Sequence, residues 1–184
     1  MSDASMKDQG NKNMVWIDLE MSGLDPEKEK IIEIATIVTD WELNVVAEGP
    51  ELIIHQNDKV LNAMDDWNKK HHRQSGLWDR VLESKTTVQE AENQTLAFIK
   101  KYVPKGGILA GNSIWQDRRF MIKEMPLLDA YMNHRMIDVS SFKVIAKYWY
   151  DEPEVKKANK HRALDDIKES IEELKHYREK IFKK

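Results

Sequence analysis

Two acidic residues, Asp18 and Glu20, lie two positions apart in the hydrophobic stretch VWIDLEMSGL at residues 15–24. Side chains two positions apart share one face of a strand, so these two carboxylates are expected to lie side by side. At that distance they repel and raise each other's pKa unless a cation lies between them. Carboxylate oxygens are hard ligands that suit Mg²⁺ or Mn²⁺. The pattern predicts a divalent metal site, and the alternative is an exposed strand edge with two solvated acids.

Further acidic residues occur where helices are expected to begin. Asp117 lies six residues after Gly111, and an acid there also suits a helix N-terminus, so a capping role stays open. The segment HRALDDIKESIEEL carries His161, Asp165 and Asp166. Helical spacing would put His161 and Asp165 on one face. If the histidine precedes the helix, Asp166 becomes the inward acid, so spacing alone does not choose between the two aspartates.

The elements that must position these residues follow from the apolar pattern. Runs of β-branched residues predict two further strands, which join 15–24 in a three-stranded antiparallel sheet with a turn near Asn44. After this sheet the apolar residues recur at helical spacing. This order predicts a mixed α/β layer fold, with a disordered leader at 1–13 and a single domain at 14–184. The expected strands are 31–39, 52–55, 108–110 and 136–137, and the expected helices are 60–67, 76–83, 87–102, 114–123, 139–150 and 163–182.

Composition narrows the class of protein. The chain has 184 residues, no cysteine and a net charge of −3. Disulfides and thiolate metal sites are excluded, and a reducing compartment is favoured. No apolar run approaches the length of a membrane span and no secretory signal is evident, so a cytoplasmic protein without a membrane partner is predicted. The negative charge argues against a long nucleic-acid duplex as partner but leaves a short strand possible.

Four segments, WIDLEMSGLD, AGNSIWQDRRF, IDVSSFK and HRALDDIKESIEEL, together resemble the motifs of the oligoribonuclease family. This family belongs to the DEDD superfamily of exonucleases, in the group with a histidine in the third motif. The resemblance covers about residues 14–182 and implies a ribonuclease-H-like mixed sheet flanked by helices. It also implies 3′-to-5′ hydrolysis of short oligoribonucleotides, dinucleotides especially, to mononucleotides at the final step of RNA degradation.

The resemblance assigns roles to the acidic residues and the histidine. Two divalent cations, Mn²⁺ or Mg²⁺, would be held by Asp18, Glu20, Asp117 and Asp166, with His161 as the general base. The five-residue step from histidine to acid in the family favours Asp166 as the ligand. Two ions about 3.5–4 Å apart can stabilise both the attacking and the leaving oxygen of a phosphodiester.

Other positions match residues with which the family binds substrate. Leu24 resembles a hydrophobic wedge against the bases, and Trp67 resembles an aromatic on which a base stacks. Ser113, Arg135 and Ser140 match a polar pocket for the terminal phosphate, where an arginine can donate two hydrogen bonds. Ordinary core packing is the alternative for Leu24 and Trp67, and a surface position is the alternative for the polar residues.

One triplet departs from the family pattern. Where the family has His-Tyr-Arg, this chain has Asn133, His134 and Arg135. In the family the tyrosine reaches into the active site of a partner subunit, so the resemblance implies a homodimer with sites completed across the interface. His134 takes the tyrosine position with a smaller ring and no phenolic hydroxyl, which weakens the claim of a trans-acting aromatic.

Two other functions remain as alternatives. One is a DEDD exonuclease for longer RNA or single-stranded DNA, which the lack of excess positive charge disfavours. The other is a non-catalytic scaffold that binds nucleic acid, which would not require all four acids and the histidine. The leading prediction is an exoribonuclease for single-stranded RNA of about two to five nucleotides.

Overall fold

The computed structural model describes residues 12–155 and 162–182, and its centre is a six-stranded mixed sheet. The strands lie in the order β3-β2-β1-β5-β6, and β4 pairs with β2 beside this path. The strands are β1 (Asn13–Met21), β2 (Ile31–Asp40), β3 (Val45–Glu48), β4 (Leu52–Ile53), β5 (Ile108–Gly111) and β6 (Met136–Asp138). The helices are α1 (Asp58–Ala63), α2 (Asp66–Gln74), α3 (Leu77–Glu83), α4 (Val88–Tyr102), α5 (Ile114–Glu124), α6 (Pro126–Tyr131), α7 (Val139–Tyr150) and α8 (Ala163–Ile181).

Strand β1 lies in the middle of the sheet and is paired differently on its two sides. It is antiparallel to β2 along its whole length, from Asn13 opposite Asp40 to Met21 opposite Ile31. It is parallel to β5 only as far as Trp16, which pairs with Ala110. Beyond Trp16, therefore, the backbone N–H and C=O groups on the β5 side of β1 form no hydrogen bonds with β5 and need other partners. The predicted mixed α/β sheet flanked by helices is confirmed.

The alternation of β1 side chains divides the core into two layers. Val15, Ile17 and Leu19 face the layer that includes α4, α5 and α6. Met14 and Trp16 face the opposite layer, which α7 and α8 form. Because successive side chains of a strand alternate, Asp18 and Glu20 continue the second face and point toward the side of α8.

The sequence prediction was wrong at several boundaries in the first half of the chain. The predicted helix 60–67 is two helices, because Met64 leaves the helical conformation and the Asp65 side chain caps α2 by accepting from Asn68 N–H at 2.7 Å. The strand predicted at 52–55 is reduced to β4. Strand β3 was missed, although the turn near Asn44 leads directly into it.

Two other differences concern the ends of elements. Helix α6 was missed; Pro126 starts it at a first-turn position, where a missing N–H costs nothing. Asn13, which was assigned to the leader, begins β1 and donates to the carbonyl oxygen of Tyr102 at 2.9 Å. The rest of the predicted leader lies outside the described residues, except for residue 12. Within the described part of the chain, no helix is both long enough and apolar enough to cross a membrane.

Candidate active site

Three carboxylates converge where the end of β1 meets the start of α8. Asp18 and Glu20 stand on the α8 side of β1, and Asp166 lies in the first turn of α8. One oxygen from each of the three lies within 4.8 Å of the others. The structure thus brings Asp166, rather than Asp165, to the β1 acids. Asp165 instead lines a surface cavity with Arg162 and other residues.

Asp117 reaches the same region from a different layer. It lies in the first turn of α5, which follows β5, and it is 6% exposed. Its Oδ1 accepts from the backbone N–H of Leu19 at 2.9 Å. That N–H is available because the pairing of β1 with β5 ends at Trp16. Asp117 is not among the three acids grouped within 4.8 Å, but it is fixed beside them on the backbone of β1.

Burial and neighbouring negative charges disfavour the ionised forms of Asp18, Glu20 and Asp117. Burial, followed by the charges of Asp117, Glu20 and Asp166, raises the pKa of Asp18 well above its usual value. Burial and neighbouring carboxylates raise the pKa of Glu20 to about 8. Burial raises the pKa of Asp117 to about 7, although the bond from Leu19 N–H opposes the shift. Oxygen ligands with unneutralised negative charge fit a hard divalent cation such as Mg²⁺ or Mn²⁺.

The predicted general base, His161, lies outside the described residues, as do 156–160. Its role therefore stays a prediction from the third motif. Arg162, the residue that follows it, is the N-cap of α8, and its carbonyl oxygen accepts from Asp166 N–H at 2.9 Å.

Leu24 and Trp67, the two predicted base contacts, are not core residues. Leu24 is 71% exposed, and its carbonyl oxygen accepts from Gln116 Nε2 at 2.6 Å. Trp67 is 57% exposed and stacks on His71, with 3.8 Å between ring centroids and 25° between the ring planes. Both apolar groups are thus presented to solvent by bonds or stacking that hold them in place. The core-packing alternative for these two residues is excluded.

A buried histidine connects the helix of Trp67 to the acidic site. His72 Nε2 lies 3.1 Å from the carbonyl oxygen of Met21, the residue after Glu20. The contacts of both histidines are specific, because His71 stacks on Trp67 and His72 fixes α2 against the end of β1.

Ser113 and Ser140 meet at the ends of two neighbouring parallel strands. Ser113 follows β5 and Ser140 follows β6, and their hydroxyl oxygens are 3.0 Å apart. Asp138 Oδ1 accepts from the backbone N–H of each serine at 2.9 Å. Arg135, the third residue of the predicted phosphate pocket, is exposed on the loop before β6. His134 is exposed on the same loop, and its carbonyl oxygen accepts from Arg118 Nη1 at 3.2 Å.

Sequence reasoning missed the network behind these serines. Asn112 Nδ2 donates to Glu173 Oε2 at 2.8 Å and to Ser170 Oγ at 2.9 Å. Its Oδ1 accepts from Ser140 Oγ at 2.9 Å. Asn112 therefore ties the serine pair to α8. Glu173 is buried inside an apolar helix face, which is the sequence signal that could have revealed this contact.

Comparison with known proteins identifies the family. The exonuclease family RNase_T matches residues 15–174. The chain is 55% identical over 180 residues to an oligoribonuclease of Ectopseudomonas mendocina, covering 95% of this chain and 99% of that protein. It is 56% identical over 177 residues to an oligoribonuclease of Haemophilus influenzae strain PittGG, covering 94% of this chain and 96% of that protein.

Solved structures share the fold at much lower identity. Escherichia coli exonuclease I, crystallised with single-stranded DNA, superposes with a TM-score of 0.71 at 15% identity over 93% of this chain. Exonuclease I of Methylocaldum szegediense gives a TM-score of 0.69 at 17% identity over 92% of this chain. The chain spans 40% and 41% of those two proteins, respectively. The ribonuclease-H-like fold expected from the resemblance is confirmed. With this fold, an exonuclease match over residues 15–174 and relatives more than half identical, the chain belongs to the oligoribonuclease family of exonucleases.

Proposed function

We propose that this exonuclease hydrolyses single-stranded RNA of about two to five nucleotides from the 3′ end, and that dinucleotides are its preferred substrate. The observation that carries the proposal is the convergence of Asp18, Glu20 and Asp166 beside a buried Asp117. The relatives named oligoribonuclease support the substrate class.

The four acids are the proposed ligands of two divalent cations. Bound Mg²⁺ or Mn²⁺ supplies positive charge that stabilises the attacking and leaving oxygens. Asp18, Glu20 and Asp166 each offer a carboxylate oxygen to the shared site, while Asp117 keeps one oxygen on Leu19 N–H. This division leaves the Asp117 carboxylate oriented by the strand before any ligand binds.

The proposed proton acceptor is His161. A histidine titrates near neutral pH and can take the proton of the attacking water. The water oxygen bonds to the phosphorus and the bond from phosphorus to the 3′-oxygen breaks. The products are a nucleoside 5′-monophosphate and a shortened strand that ends in a 3′-hydroxyl.

The length preference is proposed to come from groups that bind both ends of the substrate. Leu24 and Trp67 present apolar surface to the bases, and stacking on an aromatic is worth roughly 1–3 kcal/mol per base. Ser113, Ser140 and Arg135 are the proposed contacts of the 5′-terminal phosphate. A longer strand would have to carry its backbone past these groups, and a chain of net charge −3 offers few additional phosphate contacts.

A cleavage assay with RNAs of different lengths tests the proposal. RNAs of two to twenty nucleotides and matched DNAs are incubated with the full chain and Mn²⁺. We expect the dinucleotide to be consumed fastest and mononucleotides to accumulate. Equal rates on all RNA lengths would contradict the length preference, and a faster rate on DNA would favour the broader DEDD activity.

Arg135→Ala tests the phosphate pocket separately. Loss of a charged hydrogen bond costs roughly 1.5–3 kcal/mol, so affinity for a 5′-phosphorylated dinucleotide should fall about ten- to a hundredfold. Arg178→Ala, which removes an arginine that contacts Trp41 and Glu42 at the far end of α8, is the matched control. Equal losses on phosphorylated and unphosphorylated dinucleotides would show that Arg135 does not bind this phosphate.

We propose a homodimer whose interface includes the outer face of α5. Trp115 and Ile122 are both more than half exposed on this face, and clustered exposed apolar groups mark interaction sites. Arg118, between them on the same face, donates to the carbonyl oxygens of Asn133 and His134. This contact connects the face to the loop that carries the proposed trans-acting residues.

Mixing an inactive variant with a weakly binding one tests this arrangement, in an assay with a 5′-phosphorylated dinucleotide at a concentration too low for the Arg135→Ala chain to bind it. Asp18→Ala and Arg135→Ala chains are combined under conditions that allow subunit exchange. If Arg135 acts across the interface, a mixed dimer contains one site with both residues intact and activity returns. Absence of recovery despite demonstrated exchange would contradict a role in trans.

The cytoplasm is the proposed compartment, since a cysteine-free chain suits reducing conditions.

A further inference from the structure

Glu33 is a buried acid near the start of β2 and is not one of the proposed metal ligands. It has 0% exposed surface and lies directly opposite Glu20 in the register of β1 and β2. Directly opposed residues of an antiparallel pair share a face, so Glu33 lies on the same face of the sheet as Glu20. A fully buried carboxylate needs hydrogen-bond donors or a positive charge beside it. Its partners therefore indicate its role.

Both oxygens of Glu33 contact the first residues of α8. Arg162 Nη2 donates to Glu33 Oε1 at 2.9 Å, and Ala163 N–H approaches Oε2 at 3.5 Å. Helix α8 receives no capping bond from the side chain of its own N-cap residue, Arg162. The first N–H groups of a helix need acceptors from outside the helix. Glu33 supplies one from the adjacent strand, so it acts as an external cap.

The same guanidinium contacts a second carboxylate. Arg162 Nη2 also donates to Glu51, which precedes β4, and Glu51 accepts from Arg80 of α3 at 3.4 Å. Arg162 thus bridges β2 and the segment before β4. The carbonyl oxygen of Arg162 accepts a hydrogen bond from Asp166 N–H at 2.9 Å. This bond links Arg162 directly to a proposed metal ligand.

We propose that Glu33 is a positioning residue for the metal site, which fixes the start of α8, and so Asp166, at the distance from Glu20 that a shared cation requires. The inference rests on the proposed metal-binding role of Asp18, Glu20 and Asp166. Glu20 lies across the strand pair from Glu33, and Asp166 lies one helical turn beyond Arg162. The strand register therefore fixes the Glu20 end of this distance, and the Glu33 carboxylate fixes the Asp166 end through its contacts with Arg162 and Ala163.

The first test is Mn²⁺ affinity, measured by electron paramagnetic resonance titration of the metal-free full chain up to millimolar Mn²⁺. Glu33→Gln keeps the size of the side chain but removes its charge. Loss of a group that orients metal ligands weakens affinity typically about 10–100-fold, and we expect a loss in this range. The kcat on a dinucleotide should fall with little change in KM, because Glu33 is not one of the proposed base or phosphate contacts.

Glu48→Gln is the matched control. Glu48 of β3 also forms an ion pair with α8, through Lys168 at 3.1 Å, but this pair is exposed and lies away from the helix start. We expect unchanged Mn²⁺ affinity in this variant. A loss equal to that of Glu33→Gln would overturn the inference, because any contact between the sheet and α8 would then have the same effect.

A double-mutant cycle with Asp166→Asn separates positioning from general stability. If Glu33 acts through Asp166, Glu33→Gln should cause no further loss of Mn²⁺ affinity in the Asp166→Asn background. The same loss in both backgrounds would overturn the inference. Arg162→Lys provides a second cycle if Glu33→Gln fails to fold. The two proposals can fail separately. If the four Mn²⁺ affinities give the expected cycle but the wild-type protein does not cleave RNA, the proposed function is contradicted and the positioning role remains.

Discussion

Removing the charge of Glu20 should stabilise the metal-free protein at alkaline pH. Glu20 is half-buried, and burial together with the charges of Glu33, Asp166 and Asp117 raises the pKa of its carboxyl from 4.5 to about 8. Between these two pH values the folded carboxyl holds a proton that the unfolded chain has released. The free energy of unfolding therefore falls as pH rises through this window.

The size of the effect follows from the width of the window. Each pH unit between 4.5 and about 8 contributes about 1.4 kcal/mol, so the full cost is about 5 kcal/mol at most. Asp18 and Asp117 also have raised pKa values, because they are buried near the same cluster of carboxylates. Part of the loss of unfolding free energy at high pH therefore remains when Glu20 is neutral. We expect Glu20→Gln to raise the free energy of unfolding by about 2–3 kcal/mol at pH 8.5, and by less than about 1 kcal/mol at pH 5.5.

Urea unfolding in the presence of EDTA at pH 5.5, 7.0 and 8.5 measures this difference. Glu83→Gln, which changes an exposed carboxylate at the end of α3, should show no such pH dependence. Adding Mn²⁺ should reverse the order of stability, since the wild type binds the ion and the variant lacks a ligand. A Glu20→Gln variant that is no more stable than the wild type at pH 8.5 in EDTA would refute the reasoning.

Five substitutions test the remaining three assignments. Asp166→Ala should abolish hydrolysis and Asp165→Ala should retain it; the reverse result in the cleavage assay would mean that the third-motif acid is wrong. His161→Ala should keep Mn²⁺ binding but lower kcat by roughly 10²–10⁴-fold, and unchanged turnover across pH would exclude it as the general base. Trp67→Ala should weaken dinucleotide binding by roughly 1–3 kcal/mol in calorimetry, whereas His71→Ala should cause a smaller loss. Equal affinities of all three proteins would show that no base stacks on Trp67.

The sequence by itself determined the elements that depend on local pattern. The two-residue spacing of Asp18 and Glu20 placed both on one face of a strand, and β1 has that arrangement. The predicted helix 87–102 begins with Thr87 and Glu90 at the spacing of a capping box, and α4 begins there with both reciprocal bonds present. These features could be predicted because alternation and capping involve residues only a few positions apart.

The sequence motifs also indicated the chemistry, but not the packing around it. The apolar residues of 60–67 have helical spacing throughout, yet the first helix ends at Met64 because Asp65 caps a second helix. The side chain of Trp67, in this second helix, is exposed to solvent. Strand β3 was missed because its Val45 and Val46 are exposed, and their burial could not be judged from the sequence. Both errors arise where exposure depends on distant neighbours.

Only the tertiary structure decided how the acids meet. Asp117 finds a free N–H on Leu19 because the pairing of β1 with β5 ends at Trp16, a register that no local pattern specifies. Glu33 resembles any acid within an apolar strand until α8 packs on it and its oxygens contact Arg162 and Ala163. These contacts join residues about a hundred or more positions apart, and they form only when the layers pack, because buried charges accept whichever partners the completed fold brings to them.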